Sequence, residues 1–340
     1  MNNEQTNAAS LRPCPICKGD ETRLLFAVRD TDRRTDLQFA LHGCRVCGGG
    51  FVWPRPAADI LAQLYDDEFF SKQSRRGLLA SCFGRFEDAL FRRRVGFIDR
   101  HVHPRCRRVL DVGCGNGKFL RAMRDGGREV LGIEPSPAGA VRAREDHGLE
   151  VMGLPVLEVD LGPSRFDLIT FWHVLEHIDD PAAYLRHVAR WLAPGGRILI
   201  AVPNFAGIEA RWFKRRWAFL DIPRHLYQFT RRGLSQIATQ ASMRVVRDDL
   251  RLAEYSFPIT VLNFCSVLSG DDPLLVYHLV KRQRQYAARR RKQIQALLIL
   301  GCAAALSPAL LLINFVTELC HSANGLIVVL ERQEDSHATD

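Results

Sequence analysis

Hydrophobic and polar positions alternate with two different periods along this chain. Short apolar runs at residues 109–112, 130–133, 149–152, 166–172, 197–202, 243–252 and 324–331 have the length of buried strands. Between several of them lie longer stretches with helical spacing. One begins after Gly117. Another is opened by Ser136-Pro137, a good N-cap and first-turn pair, and runs to His147-Gly148. A third is opened by Pro181 and runs to Trp191. Strands alternating with helices predict an α/β fold built on a doubly wound, mainly parallel sheet.

The first apolar run ends in three alternating glycines, Gly113, Gly115 and Gly117, with the small Cys114 between them. The second ends in Glu134, nineteen residues after Gly115. Such glycines let the backbone turn sharply and approach a ligand, and an acid closing the next strand can hold a ribose diol. A dinucleotide fingerprint would place its third glycine at position 118, which is Lys118. Asp111, just before the turn, repels a phosphate and suits a cationic amino-acid group. The segment resembles motif I of class I S-adenosylmethionine-dependent methyltransferases, and Glu134 resembles their ribose-binding acid.

Two later phrases carry the same resemblance: HVLEH at 173–177 and LAPGGRILIAVPN at 192–204. The likeness runs continuously over about 107–204. It implies a Rossmann-like, seven-stranded sheet and S-adenosylmethionine as methyl donor. His173, Glu176 and His177 follow a strand directly, so they lie at the carboxyl edge where cofactor and acceptor meet. If a helix starts there, His173 and His177 share one face and either can act as general base. Glu176 and His177 can equally cap or orient the local backbone. In family members the residues after this strand touch the cofactor, which makes Trp172 and His173 candidate contacts. The segment 221–230 resembles a recurrent stretch in which a histidine, here His225, faces the substrate pocket.

Cys14-Pro-Ile-Cys17 and Cys44-Arg-Val-Cys47 form two Cys-x-x-Cys knuckles, each soon followed by glycine. Four thiolates at this spacing can close a tetrahedral structural Zn2+ site. Methyltransferases acting on sugars and polysaccharides resemble this arrangement, with a zinc-ribbon-like module ahead of the catalytic fold. The expected organisation is therefore a zinc module at 11–56, a helical bridge at 57–106 and a methyltransferase domain at 107–334. Arginine clusters on the bridge (Arg75, Arg76; Arg92, Arg93, Arg94) read as solvated helix faces rather than binding sites.

A formal charge of +9 and a pI near 9.2 favour a polyanionic neighbour. The polar start of the chain shows no secretory signal, and ten cysteines fit a reducing, cytoplasmic setting. A hydrophobic insertion at about 256–322 separates the last two strands. In it, seven basic residues and no acid at 281–292 precede an uncharged stretch from Ile294 to Glu318. Ser307-Pro308 divides that stretch into halves too short to cross a bilayer, and the final strand must return to the sheet. A re-entrant or interfacial hairpin on an anionic inner-membrane surface follows, with a buried core or dimer element as the alternative. Basic and aromatic residues at 211–217 are a second interfacial candidate. The acceptor expected is a small molecule, a sugar or glycan precursor, or a lipid-linked compound. An RNA methyltransferase and a non-catalytic zinc-ribbon scaffold are the rivals. Nucleic acid is disfavoured because no aromatic stacking platform is evident outside 211–217.

Overall fold

The computed structural model describes residues 12–31, 37–57, 60–61, 78–250, 252, 256–270, 275–276, 290–319 and 322–333. Arg75, Arg76 and the basic run up to residue 289 lie outside them. The elements begin with β1 (Thr22–Arg29), β2 (Gln38–Cys44) and β3 (Gly50–Trp53), followed by helix α1 (Leu78–His101). Then β4 (Arg108–Val112), α2 (Lys118–Asp125), β5 (Glu129–Ile133), α3 (Pro137–His147), β6 (Val151–Met152), β7 (Phe166–Trp172) and α4 (Pro181–Ala189) alternate. They are followed by β8 (Leu192–Pro203), α5 (Ile208–Phe213), β9 (Tyr227–Gln228), α6 (Arg231–Gln240) and β10 (Met243–Leu250). The insertion helices α7 (Ser256–Leu268), α8 (Arg290–Ala305) and α9 (Ser307–Leu319) precede β11 (Gly325–Arg332).

Seven strands form one sheet in the order β10-β11-β8-β7-β4-β5-β6. β4, β5, β6, β7 and β8 pair in parallel, while β11 enters antiparallel between β8 and β10. The doubly wound sheet expected from the alternating pattern is present. Period-two alternation feeds two cores. Leu110, Val112, Ile169 and Phe171 face α4 and α6, whereas Val109 and Leu168 face Phe97 and Ile98 of α1 and Phe119 of α2.

Local chemistry sets the helix limits. Ser136 accepts a hydrogen bond from Gly139 N (3.4 Å), Pro137 takes the first helical position, and left-handed Gly148 (φ 61°) closes α3. Asp180 accepts from Ala183 N (2.9 Å) before Pro181. Helix α4 ends at Ala189 rather than at the expected Trp191. Trp191 N donates three residues back, to the Val188 carbonyl (3.0 Å), which tightens and ends the last turn, and the Trp191 carbonyl accepts from Arg165 N and Phe166 N (2.8 and 2.9 Å) beside β7.

The N-terminal cysteine region is built into the rest of the chain. Its sheet has the order β1-β2-β3-β9, so its last strand comes from residues 227–228. Thr230 Oγ1 donates to the Cys47 carbonyl (2.7 Å), and Gln240 Nε2 donates to the Ile16 carbonyl (2.6 Å). Cys14, Ile16 and Phe51 share one core with Leu234 and Ile237 of α6.

Candidate active site

At the carboxyl edge, β4 passes into a loop whose glycines all hold left-handed backbone: φ is 71° at Gly113, 55° at Gly115 and 77° at Gly117. A Cβ on Gly113 would lie 2.5 Å from Val174 Cγ2, and one on Gly117 would lie 2.9 Å from Ala143 Cβ. Only glycine fits these positions. The loop closes on Glu134, whose two oxygens accept from Gly115 N (2.8 Å) and Ser136 N (2.9 Å). Burial raises the Glu134 pKa, and these backbone donors oppose the rise. A carboxylate offers about four lone-pair sites, so each oxygen keeps one for a hydroxyl. The site thus fits a nucleoside ribose. The Cys114 side chain lies in a small core with Leu120 and Ala140, leaving its backbone to border the loop. Burial, with the nearby charges of Asp111 and Glu134, drives its thiol pKa up and disfavours the thiolate.

Asp111, Thr170 and Trp172 occupy one face of the sheet by the same alternation. Asp111 is 3% exposed and accepts from Thr170 Oγ1 (2.6 Å). Burial pushes its pKa up to about 7, against the Thr170 hydrogen bond and the charge of Arg94. Trp172 meets Phe119 edge-on at 5.4 Å. Arg94 corrects the expectation of a solvated helix face. Arg92 and Arg93 are exposed, but Arg94 is buried, with its guanidinium 4.5 Å from the Trp172 ring centroid and 5.0 Å from that of Phe91. The sequence does carry a signal for this. Phe91, Arg94 and Ile98 recur at i, i+3 and i+7, which puts the arginine on the apolar stripe of α1.

The histidine cluster departs from a simple helix start. His173 takes left-handed backbone (φ 55°) and donates its N–H to the Ala201 carbonyl (2.8 Å). A 3₁₀ turn at Leu175–His177 follows, so His173 and His177 do not share a helix face. The left-handed residue breaks the helical register. Glu176 is fully buried at the centre. Its Oε1 lies 3.3 Å from His173 Nδ1 and 3.9 Å from His225 Nε2, and its buried Oε2 has no hydrogen-bond partner among the described residues. Burial favours protonation of Glu176, but the His173 hydrogen bond and the three nearby histidines hold its pKa below the usual value.

His225 Nδ1 lies 2.8 Å from the Phe219 carbonyl. A carbonyl can only accept, so this contact assigns the proton to Nδ1 and leaves Nε2 as the basic atom of the neutral ring. That atom faces Glu176 and, at 3.7 Å, Asp221 Oδ2. Burial would raise the Asp221 pKa, but Arg224 at 2.6 Å and the charge of His225 hold it well below the carboxylate range. His177 donates Nδ1–H to the Arg224 carbonyl (3.0 Å) and meets the His225 ring edge-on at 4.6 Å. Burial first, then the neighbouring His225 charge, push its pKa down to about 4, so it is neutral near pH 7. Oxygen and nitrogen atoms of Glu176, His177 and His225 lie within 4.8 Å of one another, close enough to share a cation.

The four cysteines also converge. Cys14 and Cys47 sulfurs are 3.8 Å apart, those of Cys17 and Cys44 are 3.6 Å apart, and all four fall within 4.8 Å. Sulfurs about 2.3 Å from a tetrahedral zinc would stand about 3.8 Å from one another. The donor set therefore fits zinc. The two knuckles match in backbone: Lys18 N donates to Cys14 O (2.7 Å) and Gly48 N to Cys44 O (2.9 Å). Lys18 and Gly48 are both left-handed, at φ 65° and 72°.

The sheet order, its single antiparallel insertion and the glycine loop answered by an acid define a nucleoside-cofactor-binding transferase fold of the class I methyltransferase type. A methyltransferase-domain family model matches residues 72–247, just over half of the chain, and the protein belongs to that family. The ubiquinone biosynthesis O-methyltransferase of Stutzerimonas stutzeri (strain A1501) is 33% identical over 117 residues, covering 33% of this chain and 50% of that protein. The protein of the same name from Idiomarina loihiensis (strain ATCC BAA-735 / DSM 15497 / L2-TR) is 35% identical over 120 residues, covering 33% and 49%. The chain thus spans about half the length of the curated relatives it matches. Among solved structures, the [4+2]-cyclase SpnF aligns over 73% of this chain and 81% of its own at 19% identity, with a TM-score of 0.46. A SAM-dependent methyltransferase from Archaeoglobus fulgidus aligns over 73% and 94% at 15% identity, with a TM-score of 0.42.

Proposed function

We propose that this protein transfers a methyl group from S-adenosylmethionine to a hydroxyl of a small-molecule, sugar or glycan-precursor, or lipid-linked acceptor. The observation that carries the reading is Glu134 closing the Gly113–Gly117 loop, a cradle for a ribose beside a buried acid, Asp111, suited to a cationic ammonium. S-adenosylmethionine, when bound, supplies an activated methyl group and a neutral thioether leaving group. The protein itself must orient the acceptor and take its proton. His225 suits the second role, because Phe219 fixes its tautomer while Glu176 and Asp221 stabilise the imidazolium that forms. Arg94 supplies a cation for the carboxylate of the cofactor's amino-acid end. Trp172 and His173 border the same edge. The four cysteines would hold a structural Zn2+ that clips the Cys14–Cys17 knuckle to the Cys44–Cys47 knuckle ahead of β3.

A second reading of the cluster rests on Glu176 Oε2, which has no partner among the described residues, and on the convergence of Glu176, His177 and His225. A divalent cation there would orient the acceptor oxygen. Chelator-treated protein with its zinc retained would lose turnover under this reading and keep it if His225 acts alone. We place the encounter at the inner face of a membrane, because a lipid-linked acceptor and the apolar insertion suit each other. The test is incubation with methyl-labelled S-adenosylmethionine and a cell extract separated into lipid, glycan and RNA fractions. Label in the lipid or glycan fraction, abolished by His225→Ala, supports the proposal; label in RNA alone overturns it.

A further inference from the structure

The insertion helices present apolar side chains in the wrong place for a protein surrounded by water. In α8 the inward positions are Ala296, Ile299 and Ala303, spaced by three and four residues, and they meet Cys265, Leu275 and Val276. An amphipathic surface helix would be polar on its other side. Here Leu297 and Leu298 are 68% and 67% exposed, Leu312 is 62% and Phe315 is 58%. No acidic residue occurs from Arg290 to Thr317. Contiguous exposed apolar surface of this kind marks a contact with another phase or molecule.

Geometry excludes a crossing by either helix. The 16 residues of α8 and the 13 of α9 are each shorter than the ~30 Å hydrocarbon layer at 1.5 Å per residue, and the pair bends by 67° at Leu306. β11 then returns between β8 and β10, so both ends of the insertion lie on the protein's side.

Cations adjoin the apolar surface. Arg290 and Arg291 are exposed at the start of α8, and Arg211, Trp212, Lys214 and Arg215 are exposed on α5 and the turn after it. Helix α7 packs against α5, α8 and α9 and so links both groups. Glu209, the one acid of α5, is buried and accepts from Thr260 Oγ1 (2.5 Å) and Asn263 Nδ2 (2.6 Å). Asn263 Oδ1 accepts from Ala218 N (2.7 Å), and Arg216 donates to the Ser266 and Gly270 carbonyls (2.7 and 2.8 Å). The next residue after Ala218 is Phe219, whose carbonyl holds His225. The insertion and the wall of the candidate site are therefore fastened together.

We infer that α7, α8 and α9 with Trp212 form a one-sided platform for an anionic phospholipid bilayer. The inference rests on the membrane-surface part of the proposed function and names its partner. Apolar residues enter the acyl boundary, while an aromatic ring and cations meet the headgroups. A second copy of the chain fits less well, because a two-fold interface pairs the same patch from both copies and would gather their cations with no acid between Arg290 and Thr317 to balance them.

The experiment is flotation of the full-length protein with vesicles of phosphatidylcholine, pure or mixed with phosphatidylglycerol. The protein rises with the mixed vesicles and binds pure phosphatidylcholine at least about tenfold more weakly, since each cation near the surface is worth about 1 kcal/mol. The Leu297→Asp/Leu312→Asp double variant stays at the bottom of the gradient. Its S-adenosylhomocysteine affinity, measured by calorimetry on the same samples, is unchanged. Wild-type protein that ignores both vesicles yet binds S-adenosylhomocysteine overturns the platform and leaves the methyltransferase reading standing. A dimer that dissociates in the double variant, with no vesicle binding, assigns the face to a second copy and also overturns it. Loss of S-adenosylhomocysteine binding in wild-type protein sinks the methyltransferase reading itself.

Discussion

The cofactor half and the acceptor half that we propose for the carboxyl edge are built differently. The Gly113–Gly117 loop, Glu134 and α3 come from one continuous stretch of chain whose contacts span at most nineteen residues, with Arg94 and Trp172 added from α1 and β7. The histidine cluster draws on β7, on residues 219–225 and, through β3 and β9, on the N-terminal cysteines. Local chemistry suffices for a ligand common to many enzymes. The histidine cluster, the proposed acceptor side, is assembled from segments far apart in sequence.

By this division, substitutions on one side move affinity for the cofactor and those on the other move turnover. The largest effect expected is His225→Ala, which lowers kcat by about 10²- to 10⁴-fold, the usual worth of a general base. S-adenosylhomocysteine affinity stays within about twofold. An equal loss of both would break the comparison. Next comes the cysteine clip. Cys44→Ser removes one of four converging thiols, so metal analysis shows zinc lost and thermal unfolding begins on the order of 10 °C lower. Turnover falls more than cofactor affinity does, because β3 supports β9 beside Leu226.

A smaller effect is set by pH. Asp111, lifted to about 7 by burial, carries a proton in the free protein below that pH. A cationic ligand needs it ionised. Affinity for S-adenosylhomocysteine should rise about tenfold per unit up to about pH 7 and level off above, as expected for release of one proton. Calorimetry across pH checks this, and Asp111→Asn should flatten the curve. The same shift makes the ligand-free fold less stable as pH climbs from the ordinary aspartate value of 3.8 towards about 7, because the folded site binds the proton more tightly. The smallest effect expected is Arg94→Leu, which weakens cofactor binding about tenfold and moves the affinity curve to higher pH by removing the cation beside Asp111.

The two halves also differ in how far they can be read from sequence. The doubly wound sheet, the glycine turn, the Ser136 and Gly148 limits of α3 and the strand at 166–172 all follow from short-range patterns. Arg94 escapes such a reading because a charged triplet on a helix looks solvated unless its apolar neighbours at i−3 and i+4 are weighed. The left-handed His173 is of a type enriched in that conformation, but the signal is too weak to displace the expectation of a helix start there. The pairing of β9 with β3 joins residues far apart in sequence, and two-residue strands leave no periodicity to detect. Exposure of the insertion's outer face depends on how α8 packs against α7, which composition alone leaves open between core, dimer and membrane.

The most direct test of the central claim is the affinity of S-adenosylhomocysteine for wild-type protein and for Glu134→Ala. The variant removes a carboxylate that accepts from Gly115 and Ser136 and that we propose holds the ribose. Binding should weaken by about 100-fold or more, at about 1.5–3 kcal/mol per charged hydrogen bond. Wild-type protein that gives no binding, or a variant that binds as tightly as wild type, would contradict it.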